Sequence, residues 1–206
     1  GGEDGRFDAA DALVFYGEAL SRWTYDPQLE DYTYVQNPYS HDNVYWLLLD
    51  GQGNGKRAAR HAGAADDSEV QKPQYFRRRL HEEAEIVPLA SGTIRSGKEW
   101  YWQRLEVGDR AEFTHVIRFP GPGPLYIHLK LHGQSESDQL FGVWWNDRRV
   151  ENLGLTNFGP HEFDLQNAPA PTAGLNRLDL RHTQGSRWFL DWYELEFDHE
   201  FAAENG

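Results

Sequence analysis

Three acids stand inside an otherwise aromatic and apolar run, Phe189-Leu190-Asp191-Trp192-Tyr193-Glu194-Leu195-Glu196-Phe197. Carboxylates in such a setting could serve as the acid and base of a glycosidase, which needs two of them about 5–9 Å apart across a sugar. They could equally be held in ion pairs. Asp191 interrupts an apolar face, and its expected partner is Arg187 or Arg181. Nine histidines offer metal or proton chemistry, yet none forms a His-Glu-x-x-His pair. His128 and His132, four apart on a predicted strand, would stand about 13 Å apart on one face, too far to share an ion. His81 and Glu85 would meet only on a helix. Cysteine is absent, which excludes a thiol nucleophile, a disulfide and a thiolate metal site. No catalytic residue, metal ligand or cofactor is therefore assigned. Asp4, Asp8 and Asp11 look like half of a calcium loop, but without its other half they read better as a turn solvated by acids; a structural calcium elsewhere, at a sandwich edge, is the one ion left open.

Aromatic rings are the other chemical handle: eight tryptophans, ten tyrosines and eleven phenylalanines. Trp144 and Trp145 are adjacent, so on a strand one of them must point away from the core. Trp188 and Trp192 are four apart and would share a face, as would Trp100 and Trp102, with Tyr101 opposite. Flat rings on a sheet stack with sugars or peptides when exposed, and fill a core when not. Trp144, Trp145, Trp188 and Trp192 are the candidate ligand-binding residues.

The elements that must position these groups are strands. Leu125–His132 alternates, with Ile127, Leu129 and Leu131 facing one way and Tyr126, His128, Lys130 and His132 the other. Residues 111–119, 140–146, 149–153, 161–165, 176–182 and 188–198 follow the same logic, separated by Gly, Pro, Asn and Asp. Short strands in series predict an all-β jelly-roll sandwich over 99–206. Residues 1–98 form an additional N-terminal β region, or join the sandwich as one continuous unit. There, 12–20 and Asn43–Leu49 read as strands, the latter buried on both faces. Residues 51–74 read as an irregular insert. Residues 75–89 could be helix or strand, and local propensity favours helix.

The formal charge is −13, from 33 acids against 20 bases, of which only Lys56, Lys72, Lys98 and Lys130 are lysine. A nucleic-acid partner is not expected, because phosphate neutralisation needs a basic stripe. An acid-rich, lysine-poor surface suits a salt-loving host or an ordinary acidic protein equally. No apolar run reaches membrane-spanning length, so no membrane insertion is expected. The chain contains no methionine and opens on Gly1-Gly2-Glu3-Asp4-Gly5, which reads as a piece of a longer protein.

Several strings occur in a telling order: Phe7-Asp8-x-x-Asp11-x-x-x-Phe15-Tyr16-Gly17, Asn37-Pro38-Tyr39-Ser40-x-x-Asn43-Val44-Tyr45-Trp46-Leu47 and Gly55-Lys56-Arg57. Phe76-x-x-x-x-His81-x-Glu83, Ser96-Gly97-Lys98-Glu99-Trp100-Tyr101 and Leu190-Asp191-Trp192-Tyr193-Glu194-Leu195 follow. Together they resemble the region ahead of the peptidase unit in gingipain-like cysteine peptidases, closest to the sortase-like group of the type IX secretion system. The resemblance implies an extracytoplasmic, secreted or cell-surface, non-catalytic β module. Its partners would be the peptidase unit of its own parent chain or a secretion-system protein. The family's catalytic Cys and His lie beyond such a module, so none is carried over. The expectation is an accessory domain that is not an enzyme; the alternative is a carbohydrate-binding module, with a glycan partner, using the four tryptophans. A jelly-roll glycosidase comes third.

Overall fold

The computed structural model describes residues 14–37, 39–40, 42–47, 73–89, 100–135 and 137–202. The chain divides into two compact units, Gly1–Glu69 and Val70–Gly206. The described residues contain strands and no helix, and no helix is long and apolar enough to cross a membrane.

In the first unit, β1 (Arg22–Asp26) and β2 (Asp31–Val35) form an antiparallel hairpin. Asp26 Oδ1 accepts the backbone N–H of Gln28 at 2.8 Å and so fixes the turn. The register sets Trp23 opposite Tyr34 and Tyr25 opposite Tyr32, and each ring pair meets edge-on at 5.4 Å. Residues 42–47 are not the doubly buried strand their composition predicts. Trp46 is 86% exposed and Val44 67%. They are held instead by polar contacts: the Tyr45 hydroxyl donates to the Glu18 carbonyl at 3.0 Å, and Asn43 Nδ2 donates to the same oxygen at 2.9 Å. Residues 14–20 likewise form no strand. Leu48, Leu49, residues 51–72, the acids Asp4, Asp8 and Asp11, and the Ser96–Glu99 string lie outside the described residues.

The second unit is a jelly roll. Its strands are β3 (Tyr75–Glu83), β4 (Val87–Pro88), β5 (Trp100–Tyr101), β6 (Gln103–Leu105), β7 (Arg110–Ile117), β8 (Leu125–Gly133), β9 (Gln139–Trp145), β10 (Arg148–Leu155), β11 (Gly159–Ala168), β12 (Gly174–Gln184) and β13 (Trp188–Glu200). The pairing is nested. β9 pairs β10, β8 pairs β11, β7 pairs β12 and β6 pairs β13, all antiparallel, like one long hairpin. Rolling that hairpin up adds the pairs β9 with β12 and β8 with β13. Two sheets result, β10-β9-β12-β7 and β11-β8-β13-β3.

Their inner faces meet in one apolar core. Ile127, Leu129 and Leu131 enter from β8 as the alternation predicts, against Phe141, Val143 and Trp145 from β9 and Leu178 and Leu180 from β12. Residues 75–83, read as helix from local propensity, are a strand. β3 pairs with β13 from Tyr75↔Glu200 to Glu83↔Trp192, and this tertiary partner overrides the helix-forming tendency. β3 and β6 share the flank of β13: β6 covers Trp188–Leu190 and β3 covers the rest. The sandwich unit therefore takes in β3, ahead of the division expected at residue 98.

Candidate functional site

The outward face of β11-β8-β13-β3 is ordered by register. Asp164, His128, Glu194 and His81 stand in one row across four strands. His128 Nδ1 lies 2.6 Å from Asp164 Oδ1. His81 bridges two carboxylates, with Nδ1 at 2.9 Å from Glu194 and Nε2 at 3.2 Å from Glu83. The expected pairing of His81 with Glu85 on a helix is replaced by these cross-strand bonds. In the next row Lys130 Nζ reaches Glu162 at 3.4 Å and Asp191 at 3.9 Å. Asp191 is thus paired with Lys130, and neither Arg187 nor Arg181 serves it: Arg187 meets Glu106 at 3.7 Å, and Arg181 turns to the other sheet. Glu196 accepts from Arg79 Nε and Nη2 at 2.9 and 2.7 Å. All three acids of the aromatic run are engaged by a cation or an imidazole.

The four candidate tryptophans are separated. Trp145 and Trp188 are fully buried, packed into the core from opposite sheets, and cannot touch a ligand. Trp144 and Trp192 are half-buried on the two outward faces, so they cannot form one platform. The expectation that Trp188 and Trp192 share a face fails at a β-bulge. Leu190 pairs with Leu131 and Trp192 with Lys130, which leaves Asp191 as the extra residue. Before the bulge even-numbered residues point inward, and after it odd-numbered ones do. Lys130 Nζ sits 5.9 Å from the Trp192 ring. Tyr101 is buried on His132, its hydroxyl 2.9 Å from Nδ1, while Trp102 stacks on Tyr193. Burial holds the His132 imidazole below its ordinary range, against the pull of Asp191.

On the outward face of β10-β9-β12-β7, the pentad Arg177-Leu178-Asp179-Leu180-Arg181 sends its leucines inward and the other three outward. Asp179 is nevertheless only 1% exposed, because arginines cover it. Arg110 donates from Nε to Oδ1 and from Nη2 to Oδ2, the latter at 2.7 Å. Arg181 Nη2 donates at 3.2 Å, and Arg177 Nε lies at 3.5 Å. Burial would raise the Asp179 carboxyl, but the bonds from Arg110 and Arg181 outweigh it and hold the group below the usual carboxylate range. The same bonds raise Arg110. Trp144 stands opposite Asp179, and its indole lies over Gly142, where a Cβ would clash with the rim of the ring. The Arg181 guanidinium covers that indole at 4.2 Å from the centroid. Sequence reasoning missed this cluster, although the period-two Arg-Asp-Arg pattern carried the signal.

Between the sheets, His115 Nε2 lies 2.9 Å from the Tyr193 hydroxyl, and its Nδ1 3.9 Å from Glu82. Burial lowers His115, raises Glu82 against the pull of His81, and raises the Tyr193 phenol. Among the described residues no group of three or more His, Asp or Glu is placed to hold a metal ion.

No protein-family model and no characterised protein sequence matches the chain. Among solved structures it is similar to dimeric latent PorU from Porphyromonas gingivalis, with a TM-score of 0.60 at 13% identity. The match covers 90% of this chain and 18% of that one. Looser likenesses include the CBM36-1 domain of a multidomain xylanase from the hindgut metagenome of Trinervitermes trinervoides (TM-score 0.42, 10% identity, 58% of this chain and 96% of that one). Another is the carbohydrate-binding module CBM36 in complex with calcium and xylotriose (TM-score 0.42, 14% identity, 57% and 98%). At these identities the likeness to PorU is one of fold: this chain spans 18% of that protein's length and shares its β architecture there.

Proposed function

We propose that the chain is a non-enzymatic accessory domain of a larger secreted or surface cysteine peptidase, packing against the peptidase unit or docking a secretion partner. The observation that carries this reading is a likeness spanning 90% of the chain to a part of PorU, in a sequence with no thiol. The ordered motif strings, from Phe15-Tyr16-Gly17 to Leu190–Leu195, support it independently. The engaged state of Asp191, Glu194 and Glu196 also speaks against two-carboxylate hydrolysis. Binding of the purified chain to the peptidase unit of its own parent, followed by calorimetry, is the test. Saturable binding is expected. Absence of binding, or peptide cleavage that co-purifies with the chain through every step, overturns the reading.

A second reading, as a carbohydrate-binding module, keeps Trp144 and Trp192 and drops the buried Trp145 and Trp188. It rests on two half-buried indoles, each with a cation over the ring. A thermal-shift series against glycans is expected to show a saturable shift that Trp144→Ala or Trp192→Ala removes. A shift that both variants retain would exclude either indole as the platform.

A further inference from the structure

We infer that the outward face of β10-β9-β12-β7 binds an anionic saccharide, a sugar ring bearing carboxylate or sulfate, at the place where Arg181 lies over Trp144. The inference rests on the carbohydrate-binding reading and narrows it to one face and one ligand charge. It begins with Asp179. One buried carboxylate holds three guanidiniums around it, so the side chains it organises carry more positive than negative charge. Two of the three are further neutralised: Arg110 meets Glu112 at 2.7 Å, and Arg177 meets Asp147. Among the described residues Arg181 meets no second acid. Its Nη2 is bonded to Asp179, while its Nε is buried without a hydrogen-bond partner. Of the five N–H donors of this guanidinium, the Nε–H is buried and one Nη2–H goes to Asp179, and the remaining Nη donors are uncommitted among the described residues.

Those donors are held still. The indole beneath and the carboxylate beside fix the guanidinium plane, so little side-chain freedom remains to be lost on binding. Gly142 allows the arrangement, since any side chain there would lift the indole from the sheet. Across β10, Arg149 pairs in register with Trp144, is exposed, and forms no ion pair among the described residues. The indole thus carries one guanidinium over its ring and has a second arginine as its register partner, in a chain of net charge −13. A forked guanidinium matches a carboxylate or sulfate, and the indole N–H is a further donor for a sugar oxygen. A continuous polyphosphate fits poorly, because Glu112 and Asp147 border the patch.

The test is calorimetric titration of the whole chain with polygalacturonate and with dextran sulfate, with neutral dextran, xylan and a single-stranded oligonucleotide as further arms. Binding to at least one anionic glycan is expected, and salt should weaken it. Trp144→Ala and Arg181→Ala should each lower affinity by about tenfold or more. Arg181→Lys keeps the charge, loses the flat fork, and should fall nearly as far. Arg104→Gln, which removes a cation from the other sheet, should leave affinity unchanged. Each variant is checked for an unaltered unfolding transition, and the lysine variant stands in if alanine unfolds. Polygalacturonate alone would assign carboxylate, and dextran sulfate alone sulfate. Full affinity in Arg181→Lys overturns the proposal. So does equal loss in Arg104→Gln, or tighter binding of the oligonucleotide. Binding of a neutral glycan only overturns the anionic inference and leaves the carbohydrate reading standing; binding of no glycan removes both.

Discussion

The hydroxyl of Tyr193 lies 2.9 Å from Nε2 of His115, and that bond ties β13 of one sheet to β7 of the other through the core. Both groups are buried, and neither is ionised near neutral pH, since burial lowers the imidazole and raises the phenol. Tyr193→Phe removes only an oxygen, but it strands a buried ring nitrogen. The expected loss is about 1–3 kcal/mol by chemical denaturation. Replacing both residues with phenylalanine should recover part of it. A Tyr193→Phe protein as stable as the parent would mean that this bond contributes nothing.

Asp179 makes stability depend on acid. Its folded pKa lies below the ordinary 3.8, so its contribution is full above that value and is lost as pH falls through the folded pKa. Asp179→Asn should lower stability at pH 7 by about 2–3 kcal/mol. The gap between variant and parent should close as pH drops below 3.8. A gap that stays constant down to strong acid would place the effect elsewhere.

Glu82 runs the opposite way. Its folded pKa is raised, so its protonated form favours the fold, and stability is lost as pH rises from 4.5 through the folded pKa. Glu82→Gln should raise the melting temperature at pH 7 and leave it unchanged in stronger acid. An equal effect at both pH values would rule out ionisation as the cause.

Removing residues before 99 should be more damaging than removing those before 70. The shorter deletion leaves β3 beside β13, whereas the longer strips the partner from Trp192–Glu200 and bares a long strand edge. Residues 70–206 are expected to unfold cooperatively, and 99–206 to aggregate. A soluble, cooperative 99–206 fragment would show that β6 alone suffices on that flank.

The sequence was most readable where one strand obeys one alternation. β8 shows it, with Ile127, Leu129 and Leu131 buried as predicted. It was least readable where the outcome depends on a distant partner. Nothing local in Tyr75–Glu83 reveals β13, and helix propensity pointed the wrong way. Nothing in the run through Asp191 marks the bulge that parts Trp188 from Trp192. The charge pattern Arg177-Asp179-Arg181 was in plain view, but its meaning required Arg110 and Trp144. Those residues come from strands more than thirty positions away, and no periodicity reports the register that joins them.

The nested pairing also sets an order of assembly. At the centre of the rolled hairpin, Asn146 and Asp147 both take positive φ, 48° and 64°, linking β9 directly to β10. That is the least costly loop to close, and each pair outward from it encloses a longer stretch of chain. Such topologies have high contact order and fold on the millisecond-to-second scale. Asn146→Ala should slow folding, whereas weakening β3 against β13 should mainly speed unfolding, and φ-value measurements separate the two. The flank of β13 is then expected to be the last part of the sandwich to set and the first to loosen.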